Sequence, residues 1–280
     1  MQPSDARALW QGLEPYHAMI YFAPEGTEEY AALGLEGMGQ GYFAARAAAM
    51  GAVPADVVTA TFYNFHPALV ASAIPAAWEI ASPAEVLAAR YRAVDRALHR
   101  LLPDDVLTGP EVAEAAALAR TASEGCTPQG RPLYAGHASL PWPEQPHIAL
   151  WHAIALLREF RGDGHIAALV TQGVGPLTAI VLHGATGEFP VALLRLTRAW
   201  PDAEWEAEVA RLQVLGWLDA DEHLTEAGTA AKQAVEDATD AAAMAPWGHL
   251  GPEGCARLLE LGRPLSAAIV DAGGAGFLKR

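Results

Sequence analysis

The segment WHAIALLREFRGDGH, residues 151–165, sets six ionisable side chains in an otherwise apolar run: His152, Arg158, Glu159, Arg161, Asp163 and His165. At about 3.6 residues per helical turn, His152, Leu156, Glu159 and Asp163 share one face. Two carboxylates four residues apart repel each other. On a core-facing helix they need a cation, a shared proton or arginine partners. Glu159, Asp163 and His165 have the chemistry of catalytic acids and bases, and Arg158 and Arg161 that of an anion clamp. The same residues also suit a buried ion-pair network that locks the chain together, with Asp163-Gly164 as a helix stop.

Other residues complete such a site if the chain brings them together. The turn Tyr63-Asn64-Phe65-His66, the loop residues Tyr134 and His137, and His152 would add aromatic walls and a few polar groups, the usual makeup of a ligand pocket. Each has a plainer reading. Asn64 before His66-Pro67 is a turn or helix cap, Tyr63 is core, and His152 is a hydrogen-bonded core histidine. Arg46 reads as a structural partner of Glu36 or Glu79. Metal or haem ligation is open to His152, Glu159, Asp163 and His165, with His66, His137 or His183 completing a set. The spacing is not HExxH or another compact metal signature, so no metal ligands and no cofactor are assigned.

The elements that must position these groups read as helices. Residues 3–22, 27–50, 83–102 and 110–123 carry helical patterns. The third has Val86, Leu87, Tyr91, Val94, Leu98 and Leu101 on one stripe, with Arg90, Arg92, Asp95, Arg96 and Arg100 opposite. Residues 53–65 are apolar enough for a helix or a buried strand. From Glu124 to His147 glycines and prolines exclude a long helix, so this stretch reads as an ordered crossover loop. Residues 202–240 run helix, acidic turn, Leu-Thr and a helix capped near Thr225, which is the layout of a winged-helix unit. Trp200, Trp205 and Trp217 read as its core anchors. A loose echo of RAAAMGAVPADVVTATFYNFHPALV in LREFRGDGHIAALVTQGVGPLTAIV suggests two related parts. The expected fold is mainly α (α+β). It has two winged-helix-like halves, 1–123 and 148–280, each with a small β-hairpin wing, joined by a long crossover loop at 124–147.

Composition narrows the partners. The 280 residues are 52% hydrophobic, enough for a sizeable core, and carry a net charge of −15 with only 18 Lys+Arg against 33 Asp+Glu. Phosphate neutralisation supplies most of a duplex binder's affinity, so nucleic acid is a poor partner. Asp202, Glu204, Glu206 and Glu208 on the helix before the turn, and Asp219, Asp221 and Glu222 at the wing tip, would face phosphates. Two cysteines without a CxxC pattern, an N-terminus without a basic and apolar leader, and no apolar run near 18 residues point to a cytoplasmic protein with no membrane partner.

The segments GYFAARAAAMG, TATFYNFHPALV, GRPLYAGHASLPWP, LWHAIALLREFRGDGHIAAL and LTEAGTAAKQAVEDATD resemble an uncharacterised actinobacterial family of MarR-like winged-helix proteins. The resemblance implies tandem winged-helix-type domains and a homodimer, and supplies no reaction. The expected function is binding of a small-molecule ligand, with or without turnover, in an inter-domain cleft, the Arg158–His165 cluster being the site. The alternatives are a winged-helix transcriptional regulator and a metal- or haem-binding protein.

Overall fold

Proline and glycine set where the helices begin and end. The structure is a computed structural model that describes residues 1–274. The chain runs through α1 (Pro3–Ala18), α2 (Pro24–Ala32), α3 (Gly37–Ala47), α4 (Ala55–Phe62), α5 (Pro67–Ala73), α6 (Ala76–Ile80) and α7 (Pro83–Leu101). Next come α8 (Asp104–Leu107), α9 (Pro110–Glu124), α10 (Pro132–Ala138) and α11 (Pro146–Thr171). The last part is α12 (Pro176–Gly184), α13 (Val191–Arg198), α14 (Asp202–Val214), α15 (Glu226–Ala242) and α16 (Ala245–Asp271), the last kinked at Gly251 (φ 77°). Proline stands in the first turn of α1, α2, α5, α7, α9, α10, α11 and α12, where its fixed φ suits the helix and its missing N–H has no partner to lose.

The α+β expectation is overturned: no strand forms among the described residues, and the fold is all-α. The expected wing of the second half survives as a single antiparallel bridge, Leu218 to Leu224. Only Trp217-Leu218-Asp219 and His223-Leu224-Thr225 face each other there, joined by Asp219 N–H to the His223 carbonyl (2.9 Å) and Thr225 N–H to the Trp217 carbonyl (3.0 Å). The Asp219 carboxylate takes the N–H groups of Asp221 and His223, which closes the tip before a ladder can extend. In the first half the expected wing does not form at all: no strand or bridge is found there among the described residues, and only Ala81 and Ser82 separate α6 from α7.

Three apolar clusters hold the helices. The largest joins α1, α7, α9, α16 and the start of α11 around Leu13, Leu98, Trp151 and Leu258. A second packs α3 to α6 around Phe43, Phe62, Phe65 and Ile74. A third packs the end of α11 with α12 to α15 around Leu169, Ile180, Trp205 and Leu212, with Trp200 and Trp217 against it. α7 starts with a reciprocal cap between Ser82 and Glu85 and buries Val86, Val94, Leu98 and Leu101 of the expected stripe, with Leu87 and Tyr91 part-buried. Arg90, expected on its polar face, is buried instead; it donates to the Ala45 carbonyl (3.0 Å) and lies over the Trp151 ring. The helix is covered on two sides, by α2 and α3 and by α11, so its stripe is wider than the sequence pattern shows.

α11 is the spine of the molecule: its 26 residues link the first and third clusters. Asp163-Gly164 does not stop it. Gly164 serves close packing, since a Cβ there would sit 2.7 Å from Arg131 Nη1. The crossover stretch is not all loop: it contains α10. No single helix among the described residues is long and apolar enough to cross a membrane.

Candidate ligand site

The charged stretch of α11 is tied down residue by residue. Arg158 donates to Glu14 on α1 (2.9 Å) and to Glu159 (2.9 Å), and Arg46 from α3 lies 3.7 Å from the other Glu159 oxygen. Burial pushes the Glu159 carboxyl up, but Arg158 and Arg46 outweigh it and hold the group down near about 2. Arg161 pairs with Asp240 on α15 (3.0 Å), which Arg7 also reaches (2.8 Å). Asp163 accepts the Tyr134 N–H (2.9 Å), so it caps α10 from a distance; the residue at that helix's own N-cap position, Arg131, gives no side-chain cap. Burial pushes the Asp163 carboxyl up to about 6.

His165 Nδ1 lies 2.9 Å from the Thr239 hydroxyl, which donates to the Val235 carbonyl (2.7 Å). The hydroxyl proton is therefore committed, so Nδ1–H donates to Thr239 and Nε2 keeps its lone pair. Burial lowers the affinity of His165 for a second proton.

These residues line a cavity of about 490 Å³, within the range of small-molecule pockets. α3 contributes Tyr42 and Arg46, and α4 with its following turn contributes Phe62, Tyr63, Asn64 and Phe65. α11 contributes Arg158, Glu159, Arg161, Asp163 and His165, while α12 and α13 contribute Ile180, His183, Leu194 and Arg198. Lys232 and Glu236 of α15 close the side. Nine residues singled out from the sequence as site candidates thus share one cavity: Tyr63, Asn64, Phe65, Arg158, Glu159, Arg161, Asp163, His165 and His183.

Four others do not line it. His152 is buried with Nδ1 on the Tyr91 hydroxyl (2.8 Å) and its ring against Trp142. His137 is buried too, pushed down to about 3 by burial and then by Arg90. His66 caps α5, its Nδ1 accepting the Ala68 N–H (3.2 Å). Tyr134 packs edge-on against Phe160 in a small separate cluster.

Sequence reasoning missed the two arginines that matter most here. Arg46 pairs with Glu159, not with Glu36 or Glu79, and its guanidinium lies 4.3 Å from the Phe62 ring centre. Arg198 lies 4.6 Å from the Phe65 ring centre and donates to Thr197 (2.8 Å); among the described residues no carboxylate pairs with it. The Nε of each is buried without a hydrogen-bond partner. Burial pushes the Tyr42 hydroxyl up, yet Arg46 and Arg198 together hold it below its usual range, a sign of strong local positive potential. Nothing local marks Arg198 in LLRLTRAW, since its importance comes from topology alone.

The cavity abuts a pair of short helices joined by a tight turn. α13 ends at Arg198, Ala199 (φ 56°) turns the chain, and α14 begins at Asp202. The turn is fastened to the first part of the molecule: His66 N–H donates to the Arg198 carbonyl (3.0 Å) and Trp200 Nε1–H to the Asn64 carbonyl (3.0 Å). Beyond α14, the Thr225 hydroxyl caps α15 through the Gly228 N–H (3.1 Å). Asp202, Glu204 and Glu206 on α14 and Asp219, Asp221 and Glu222 at the tip are exposed.

Neither a curated protein nor a solved structure matches the chain. Its sequence does match a helix-turn-helix family over residues 6–276, a span that takes in the α13–turn–α14 unit and the cavity beside it, and the chain belongs to that family.

Proposed function

We propose that this protein is a ligand-responsive regulator of the helix-turn-helix type, and that the cavity between α3, α4, α11 and α13 takes an organic anion with a flat apolar body. One observation carries the reading. Five of the chain's 18 Lys+Arg line this cavity (Arg46, Arg158, Arg161, Arg198 and Lys232) against three of its 33 Asp+Glu (Glu159, Asp163 and Glu236). The wall thus reverses the sign of the whole molecule. Arg158 is spoken for by Glu14 and Glu159, while Arg46, Arg161 and Arg198 each keep a buried N–H without a partner; among these, Arg46 and Arg198 are braced on phenyl rings, and Arg198 alone has no carboxylate among the described residues. Arg198 is the last residue of α13, so an anion held there acts directly on the turn before α14. Glu159, near about 2, is a poor base at neutral pH.

A second reading is favoured by the acidic α14 face, which repels phosphates: a small-molecule-binding protein on a helix-turn-helix frame without duplex contact.

The test uses two dyes of matched shape, anionic anilinonaphthalene sulfonate and neutral N-phenylnaphthylamine, on the full chain. Arg198→Gln is expected to weaken the sulfonate about ten- to a hundredfold, as loss of a charge-assisted hydrogen bond does, and to leave the neutral dye unchanged. Equal losses for both dyes refute the anion preference; no binding of either refutes the ligand site. Selection of duplexes from a random pool, followed by their release with bound dye, supports the regulator. Dye binding with no duplex selected supports the second reading.

A further inference from the structure

Away from the cavity, α7, α8 and the start of α11 bring together side chains that no part of the proposed function uses. Asp95 and His99 stand one helical turn apart on α7, and His147 is the second residue of α11. Each offers one ligand atom, and these atoms lie within 4.8 Å of one another. We propose that Asp95, His99 and His147 form a divalent-cation site of the zinc class that clamps α7 to α11.

The distances fit such an ion. Zinc bonds to nitrogen and oxygen near 2.0–2.1 Å put tetrahedral ligands about 3.4 Å apart. His99 Nε2 is 3.6 Å from Asp95 Oδ1. His147 Nε2 is 2.7 Å from the same oxygen, a hydrogen bond that opens by less than about 1 Å to admit the ion.

The orientation of His99 adds an independent argument. Its Nδ1 lies 2.7 Å from the Asp104 carboxylate at the start of α8. In the neutral ring that bond places the proton on Nδ1, so Nε2 presents a lone pair to the Asp95 oxygen. Two acceptors then face each other, an arrangement that a cation between them resolves. A carboxylate behind a histidine, opposite the coordinating nitrogen, is the usual outer support of a metal-bound imidazole. His147 is buried, while Asp95 and His99 are part-exposed, so the site is open on the solvent side and a water can take the fourth position.

The test is zinc titration by calorimetry on untagged full chain stripped with chelator, with visible absorption of the cobalt-substituted protein as a second readout. One ion per chain and a d–d band of low-coordinate cobalt are expected. His99→Gln, a change at an exposed position that the fold tolerates, is expected to abolish both. Asp104→Asn is expected to weaken binding about ten- to a hundredfold. No uptake by the unmodified chain overturns the site, as does one-to-one uptake that His99→Gln leaves unchanged.

Discussion

Asp163 lines the cavity and also caps α10, so its protonation touches both ligand and fold. Its folded value near 6 lies above the ordinary 3.8. The sign follows: its contribution to stability is complete below about pH 3.8 and is lost as pH rises through about 6. Asp163→Asn keeps an acceptor for the Tyr134 N–H and removes the buried charge. It is expected to raise the urea unfolding free energy at about pH 8 by about 1–3 kcal/mol and to change it little at about pH 4. An equal gain at both pH values would show that the carboxyl does not titrate in this range. Glu159 has the opposite sign: held near about 2, it supports the fold above 4.5 and loses that support only as pH falls below it. Glu159→Gln leaves the buried Arg46 without a carboxylate and is expected to cost about 3–5 kcal/mol in the same measurement. Residue types and spacing showed that the two carboxylates on α11 need a cation, a shared proton or arginine partners; arginines answer for Glu159 alone, and Arg158 supplies one from the same helix. The other, Arg46, comes from 113 positions away, a separation taken from the Arg46–Glu159 pair that no local pattern encodes.

At the scale of elements, helix starts were legible because Ser, Thr and Pro mark them chemically, as Ser82 does for α7 and Thr225 for α15. Helix ends were less so. Asp163-Gly164 has the composition of a stop, but the glycine answers to Arg131 packed against it. The wing illustrates the same limit: the sequence shows a turn between two helices, and the Asp219 carboxylate closing the tip together with the closeness of α15 to Trp217 decides that one bridge forms in place of strands. Gly228 fixes that closeness. It is the third residue of α15, and a Cβ there would collide with the Trp217 carbonyl backbone. Gly228→Ala is therefore expected to push α15 off the 217–225 turn and cost about 1–3 kcal/mol, as overpacking does. Amide exchange should quicken at Thr225 and Asp219, whose N–H groups close this turn, while α7 amides stay protected. Unchanged exchange at those two amides would mean that the turn relaxes around the new methyl.

Across the whole molecule, the apolar bundle encloses polar groups that stay neutral. His17 is fully buried and stacked on Trp151, with both ring nitrogens unpartnered, and burial keeps its affinity for protons well below the ordinary value. Burial likewise pushes His137 down to about 3 and His152 to about 4, with Arg90 adding to both. Composition reported ten histidines and a charge of −15 but not which histidines the core takes in; that follows from α1 and α10 each packing against α11. The unfolded chain binds protons at these sites near 6.5 and the folded chain does not, so their support for the fold is complete above about 6.5 and is lost as pH falls toward 4 and below. Urea midpoints are therefore expected to fall steeply from about pH 6.5 to about pH 4, well before the carboxylates held by arginines are protonated. His152 alone accounts for about 2–3 kcal/mol of that fall. His152→Gln retains a group able to meet the Tyr91 hydroxyl but cannot gain a proton, so it is expected to flatten the slope in this interval while lowering stability at neutral pH by less than the slope it removes. A slope unchanged in His152→Gln would place the acid sensitivity elsewhere in the buried set, and His137→Asn, measured the same way, would locate it at the junction of α10 and α11.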